Sequence, residues 1–210
     1  MMDYKKEVAK ILFDTKAVFI NTKEPFIWAS GIKSPIYCDN RVLISYVAQR
    51  EQVAQFLANL IEDKFKDIEL LAATATGAIA HGAFVSSKLK KPMVYILSKN
   101  KTHGRGKKIE GFFEAGQKTV VLEDLISTGN SSIAAINSAR EQGLEVLGCV
   151  SIFSYGFDES FENFKKIDTK YYSLLTLDDL LNYAKDNHII TSDDVEVVKK
   201  FIANPHGFME

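Results

Sequence analysis

The sequence predicts an α/β fold, with a central, mostly parallel sheet flanked by helices and a small N-terminal hood subdomain. Two patterns carry that prediction. From Leu70 onward, continuous apolar runs such as Leu70–Thr74 and Val146–Phe153 alternate with segments of helical period. Strands apolar on both faces belong to parallel sheets covered on both sides. Ahead of them, residues 17–38 hold only short β-like runs punctuated by Gly31 and Pro35, which suits a hairpin cap. The 210 residues suit one structural unit. Within it, 1–45 are expected to form the N-terminal helix and β hood, and 46–210 the α/β core with C-terminal helices.

Taken in order, residues 3–16 read as an amphipathic helix, with Val8, Ile11, Leu12 and Thr15 near one face. Ala17–Ile20 and Phe26–Ser30 are short β-like runs, and Ser30–Pro35 is a turn leading to Ile36-Tyr37-Cys38. A long helix follows at 47–64, striped by Val53, Phe56, Leu57, Leu60 and Ile61. Leu70–Thr74 is a strand that opens through small residues into a helix reaching Leu89, and Met93–Leu97 is the next strand. Thr119–Glu123 and Val146–Phe153 are strands separated by a helix from Ser131 to Gln142, which Gly143 ends. Tyr171–Leu175 is a last strand, and helices near 176–187 and 192–203 have Asp178 and Ser192 near their starts.

Composition narrows the function classes. Hydrophobic residues make up 46% and charged residues 25% of the chain, and the net charge is -1. That balance gives no global drive toward nucleic acid or an anionic membrane, so anion binding must come from a local patch. No apolar run approaches the roughly 20 residues that span a bilayer, and the mixed-charge start has no apolar signal region. A soluble, cytoplasmic protein is expected. Cys38 and Cys149 form no CxxC pair and read as small buried apolar groups. The four histidines, at 81, 103, 188 and 206, show no metal-ligand spacing.

The most informative segment runs from Thr119 to Ser132. A buried strand ends in two acids, Glu123 and Asp124, followed by the small residues Ser127-Thr128-Gly129-Asn130-Ser131-Ser132 opening a helix. Ligands of open α/β sheets bind outside the carboxyl ends of strands. A glycine-containing turn at a helix N-terminus offers free N–H groups and a positive dipole end to a phosphate dianion. Two carboxylates beside that phosphate need something polar between them, and a ribose 5-phosphate supplies it. Its phosphate occupies the loop while its vicinal hydroxyls reach back to the acids, which also stabilise positive charge developing on the ring. An ordinary N-capped strand–helix junction would explain the serines, not the acids. The loop is neither a Walker A motif nor GxGxxG.

The run Val121-Leu122-Glu123-Asp124-Leu125-Ile126-Ser127-Thr128-Gly129-Asn130-Ser131 resembles the 5-phosphoribosyl-1-pyrophosphate (PRPP) signature of type I phosphoribosyltransferases, in the form typical of the orotate-specific family. The resemblance implies that fold for the chain and PRPP-binding roles for Glu123 to Ser131. Asn130 stands where glycine is usual, and Asn tolerates left-handed backbone best among the other residues. Ser98–Gly111 carries five Lys/Arg, one His and three Gly, the composition of an unpacked loop suited to covering a polyanion. Its Lys101-Thr102-His103-Gly104, followed by Ile109-Glu110-Gly111, resembles the family's catalytic loop. By that likeness, Lys101 and His103 counter the leaving pyrophosphate from the neighbouring subunit of a homodimer with shared active sites. Arg105, Lys107 and Lys108 are assigned general attraction. Relatives carry an arginine where Leu97 stands.

Two further segments resemble the same family. Ala73–Ala80 matches a loop that meets pyrophosphate through its backbone, and Phe26–Arg41 matches the hood that covers orotate. A planar dicarbonyl anion needs an aromatic or apolar wall and backbone donors, and the hairpin can supply both. Tyr37 and Ser127 are the expected orotate contacts. The resemblance therefore implies transfer of phosphoribosyl from PRPP to orotate. Mg²⁺ is expected mainly on substrate oxygens, with no dedicated protein metal site, and Lys101, His103 and Asp124 are the catalytic candidates. Two other readings stay open: a phosphoribosyltransferase for another base, and a non-catalytic PRPP-binding regulator.

Overall fold

The computed structural model describes residues 4–28, 31–97, 108–205 and 207–208. Helix α1 (Tyr4–Asp14) buries Val8, Ala9, Ile11 and Leu12. Four short strands follow: β1 (Val18–Ile20), β2 (Phe26–Ile27), β3 (Lys33–Ser34) and β4 (Ile36–Cys38). β1 pairs antiparallel with β4, and β2 with β3, so the expected hood is two antiparallel ladders, one nested within the other along the chain. A 3-10 helix (Asn40–Ser45), capped by the Asp39 carboxylate on the Arg41 N–H, leads into α2 (Val47–Lys64).

The core then alternates as predicted: β5 (Leu70–Thr74), α3 (Ile79–Leu89), β6 (Met93–Ile96), β7 (Ile109–Glu110), β8 (Lys118–Ile126), α4 (Asn130–Glu141) and β9 (Glu145–Ser154). Next come α5 (Asp158–Lys166), β10 (Tyr171–Thr176), α6 (Leu177–Asp186) and α7 (Ser192–Ala203). One six-stranded sheet has the order β10-β9-β8-β5-β6-β7, parallel throughout except for β7 against β6. Every residue of β5 is buried, as a strand covered on both faces requires.

One face of the sheet packs under α1, α2, α3, α6 and α7 around Leu12, Leu57, Ile61, Phe153 and Phe201. The other packs under α4 and α5 around Val121, Ile136, Ala139 and Phe164. α1 and the hood residues Val18, Ile36 and Cys38 share the first of these cores. Both cysteines are free and buried.

Three local expectations change. β8 does not end at the two acids: pairing continues through Glu123↔Ser151, Leu125↔Phe153 and Ile126↔Ser154. The two acids therefore sit within a paired strand and point to opposite sides of it. The caps of α6 and α7 are Thr176 and Thr191, each in a capping box with the aspartate three residues on, Asp179 and Asp194. Helix α5 was not anticipated, although Asp158 and Glu159 in its first turn and Lys165 and Lys166 in its last complement the helix dipole.

Candidate active site

β5 and β8 are neighbours whose continuations diverge, β5 toward β6 and β8 toward β9. Their carboxyl ends therefore flank a crevice at the topological switch point, the place where open α/β sheets bind ligands. The turn after β5, with a cis Ala75–Thr76 peptide, and the loop after β8 face each other there. A Cβ on Gly77 would lie 2.6 Å from Asp124 Oδ1. Only a glycine lets the turn approach the carboxylate this closely.

The loop Ser127–Gly129 runs into α4 with Gly129 as its cap, in the left-handed region at φ 82°. Asn130 is the first helical residue. The expectation that Asn130 takes a left-handed backbone is therefore corrected: Gly129 makes the turn. The Asn130 side chain instead donates from Nδ2 to Thr128 Oγ1 at 3.1 Å. First-turn amides of a helix have no acceptor of their own, so this N-terminus presents donors beside the hydroxyls of Ser127, Thr128 and Ser131. Helix α5 braces the loop from outside. Asn163 Nδ2 donates to the Thr128 carbonyl at 3.2 Å, and the Phe164 ring fills the space where a Gly129 Cβ would lie, 2.8 Å away.

The two acids differ sharply. Glu123 is buried and wholly engaged by protein groups. Oε1 accepts from Thr74 Oγ1 at 2.5 Å and from the Asp124 N–H at 3.1 Å. Oε2 accepts from Ser132 Oγ at 3.1 Å and Ser131 Oγ at 3.4 Å. Burial, then the neighbouring Asp124 charge, pushes the Glu123 carboxyl up to about 8. A Glu123 carboxyl raised in this way eases the repulsion that two ionised acids would exert on a nearby anion.

Asp124 is half-buried and faces the Gly77 turn. Its backbone is fixed by a relay that residue patterns did not reveal. His81 Nε2 meets the Asn40 carbonyl at 3.1 Å, and Asn40 Nδ2 donates to the Asp124 carbonyl at 2.7 Å. Asn40 is fully buried, and burial holds His81 below the usual imidazole range. The only advance signal for Asn40 was its place at the end of the hood motif.

A cavity of about 490 Å³ opens on the other side of the Ser127–Gly129 loop. Ser127, Thr128 and Asn130 form one wall, Trp28 and Ile32 of the hood another, and Phe157 with Ile202 and Pro205 the floor. Ser127, one of the two expected orotate contacts, lines this cavity. Tyr37 is not among its lining residues; it lies against Phe26, ring centroids 5.8 Å apart, with 36% of its surface exposed. Leu125 and Ile126 hold the loop through the strand, and Ile126 is buried in the second core. Lys101, His103, Arg105 and Lys107 lie outside the described residues. Lys108 Nζ donates to Ser138 Oγ of α4 at 3.3 Å, and the Leu97 N–H donates to the Lys108 carbonyl at 2.8 Å. Among the described residues no group of three His, Cys, Asp or Glu could hold a metal ion, and no helix is long and apolar enough to cross a membrane.

Comparison of folds gives the class. The orotate phosphoribosyltransferase of Aeropyrum pernix superposes with a TM-score of 0.75, covering 88% of this chain and 99% of that one at 23% identity; the fold is that of a phosphoribosyltransferase. No protein-family model matches the chain. Sequence comparison is more specific. The orotate phosphoribosyltransferase of Listeria innocua serovar 6a is 45% identical over 204 residues, 97% of this chain and 98% of the relative. That of Bacillus subtilis strain 168 is 47% identical over 203 residues, 97% of this chain and 94% of the relative. The chain belongs to the orotate phosphoribosyltransferase family.

Proposed function

We propose that this chain transfers the phosphoribosyl group of PRPP to orotate, giving orotidine 5′-phosphate and pyrophosphate in de novo pyrimidine synthesis. The observation that carries the reading is one loop, Ser127–Ser131, with its helix N-terminus and hydroxyls between an acidic strand end and an aromatic-walled cavity. A phosphoribosyl group has that order of parts: a phosphate, a diol and an anomeric carbon that must face a planar base. In this reading Ser127–Ser131 hold the 5-phosphate and the Glu123–Asp124 pair serves the ribose. Trp28 and Ile32 supply the wall against which orotate stacks, beside the contacts expected from Ser127 and Tyr37.

Substitution at the anomeric carbon passes through an oxocarbenium-like state, so positioning and charge stabilisation are the tasks of the protein. Asp124, whose carboxylate faces the Gly77 turn, is the group that stabilises positive charge on the ring. Lys101 and His103, from the second subunit of a homodimer, offset the charge that builds on pyrophosphate. Mg²⁺ bound to pyrophosphate oxygens would neutralise part of that charge. The residues present fit such a substrate-borne ion, with Asp124 as the carboxylate within its reach and most ligands coming from phosphate and water.

Incubation of the protein with orotate, PRPP and Mg²⁺ should give orotidine 5′-phosphate and pyrophosphate in equal amounts. Chelation of Mg²⁺ should stop turnover, and its return should restore it. Use of hypoxanthine or adenine with no use of orotate would overturn the reading.

A further inference from the structure

We infer that the C-terminal helix α7 is the seat of the hood and thereby sets the fit of the base. Two contacts at opposite ends of α7 reach hood residues. At its start, Thr22 Oγ1 donates to Asp194 Oδ1 at 2.5 Å. The other oxygen of Asp194 closes the capping box with the Thr191 N–H and hydroxyl at 2.9 and 2.6 Å, so the carboxylate that anchors the hood is itself held in place. At its end, the Trp28 indole stands edge-on to Phe201, ring centroids 5.6 Å apart at 85°, and lies 5.1 Å from Tyr155. Phe201 is fully buried and also meets Phe157 and Phe208. Ile202 and Pro205, the next turn, line the cavity opposite the phosphate loop.

One short helix thus fixes both the hood wall and the cavity floor. A shift of α7 should therefore change the space offered to the base and leave the phosphate loop, braced separately by Asn163 and Phe164, as it is. Thr22, Asp194 and Phe201 act as positioning residues, and Ile202 acts as a wall of the base cavity. The inference rests on the orotate reading above.

The test uses the whole chain and steady-state kinetics with each substrate varied in turn. Thr22→Val removes one hydroxyl at nearly constant volume, and Phe201→Leu keeps an apolar side chain at the buried site. Each should raise KM for orotate roughly three- to tenfold, equivalent to about 0.6–1.4 kcal/mol. KM for PRPP and kcat at saturating orotate should stay within about twofold of wild type. Thr22→Ser, which restores the donor, should return KM for orotate to the wild-type value. Trp28 is the chain's single tryptophan, so its emission should move to longer wavelength in Phe201→Leu as the ring loses its edge contact. An unchanged KM for orotate in variants that melt as wild type does would overturn the inference, as would an equal rise in both KM values. A wild-type chain that forms no orotidine 5′-phosphate overturns the underlying activity instead, and the wild-type assay shows this before any variant is compared.

Discussion

At the residue scale, the two adjacent acids have become two different groups. Glu123 is a buried proton carrier that ties Thr74, Ser131 and Ser132 together; Asp124 is the carboxylate open to the crevice. Because burial raises the Glu123 carboxyl from 4.5 to about 8, the folded chain holds a proton between those values that the unfolded chain has released. More protons on the folded state means stability falls as pH rises through that window, and the effect levels off above about 8. Thermal melts from pH 5 to 9 should show this decline in wild type and lose most of it in Glu123→Gln. A slope that persists unchanged in the variant would assign it to other groups. Gly77 gives a complementary case. An added Cβ would meet the Asp124 carboxylate at 2.6 Å, and the side chain can swing away, so Gly77→Ala should alter the melting temperature little. Displacing that carboxylate by about 1 Å should still lower kcat/KM for PRPP by roughly 10- to 100-fold.

At the element scale, the phosphate loop depends on its cap and its brace. Gly129→Ala forces a side chain into the left-handed region, at a cost of about 1–2 kcal/mol, and into the Phe164 ring 2.8 Å away. Urea titration should show that loss, and PRPP binding should weaken with it. The alternation of β5, α3, β6, β8, α4 and β9 was legible because continuous apolar strands and helical stripes are local signals. So was the loop itself, since small residues after an acidic strand end are adjacent in sequence. What was not legible is tertiary. Asn130 could not be separated from Gly129 as the left-handed residue without the helix start. Asn40, His81 and Asp124 lie 41 and 43 positions apart along the chain, and nothing local announces their relay. Tyr37 and Trp28 belong to the same motif, and the sequence does not say which of them faces a cavity. Only the hairpin's packing, with Trp28 turned onto Tyr155 and Phe201, turns one inward and leaves the other at the surface.

At the scale of the whole molecule, the two acids and the loop proposed to hold phosphate come from one chain's β8 and α4, whereas the expected counter-charges, Lys101 and His103, belong to a segment between β6 and β7. β7 is the edge strand of the sheet, at the opposite side from β10 and separated from β8 by β5 and β6. In the proposed reading that segment serves a neighbouring subunit. If it does, a subunit with Lys101→Ala still offers an intact Asp124, and one with Asp124→Ala still offers an intact Lys101. Each homogeneous variant should lose most of its turnover without a comparable loss of stability. Co-refolded mixtures should form heterodimers in which one of the two sites has both groups. Random pairing makes about half of all dimers mixed, each with one intact site, so an equal mixture should recover roughly a quarter of wild-type kcat, with wild-type KM values. Recovery that vanishes when the variants are mixed without subunit exchange would tie it to the interface. No recovery in verified heterodimers would put Lys101 and Asp124 of each site on the same chain.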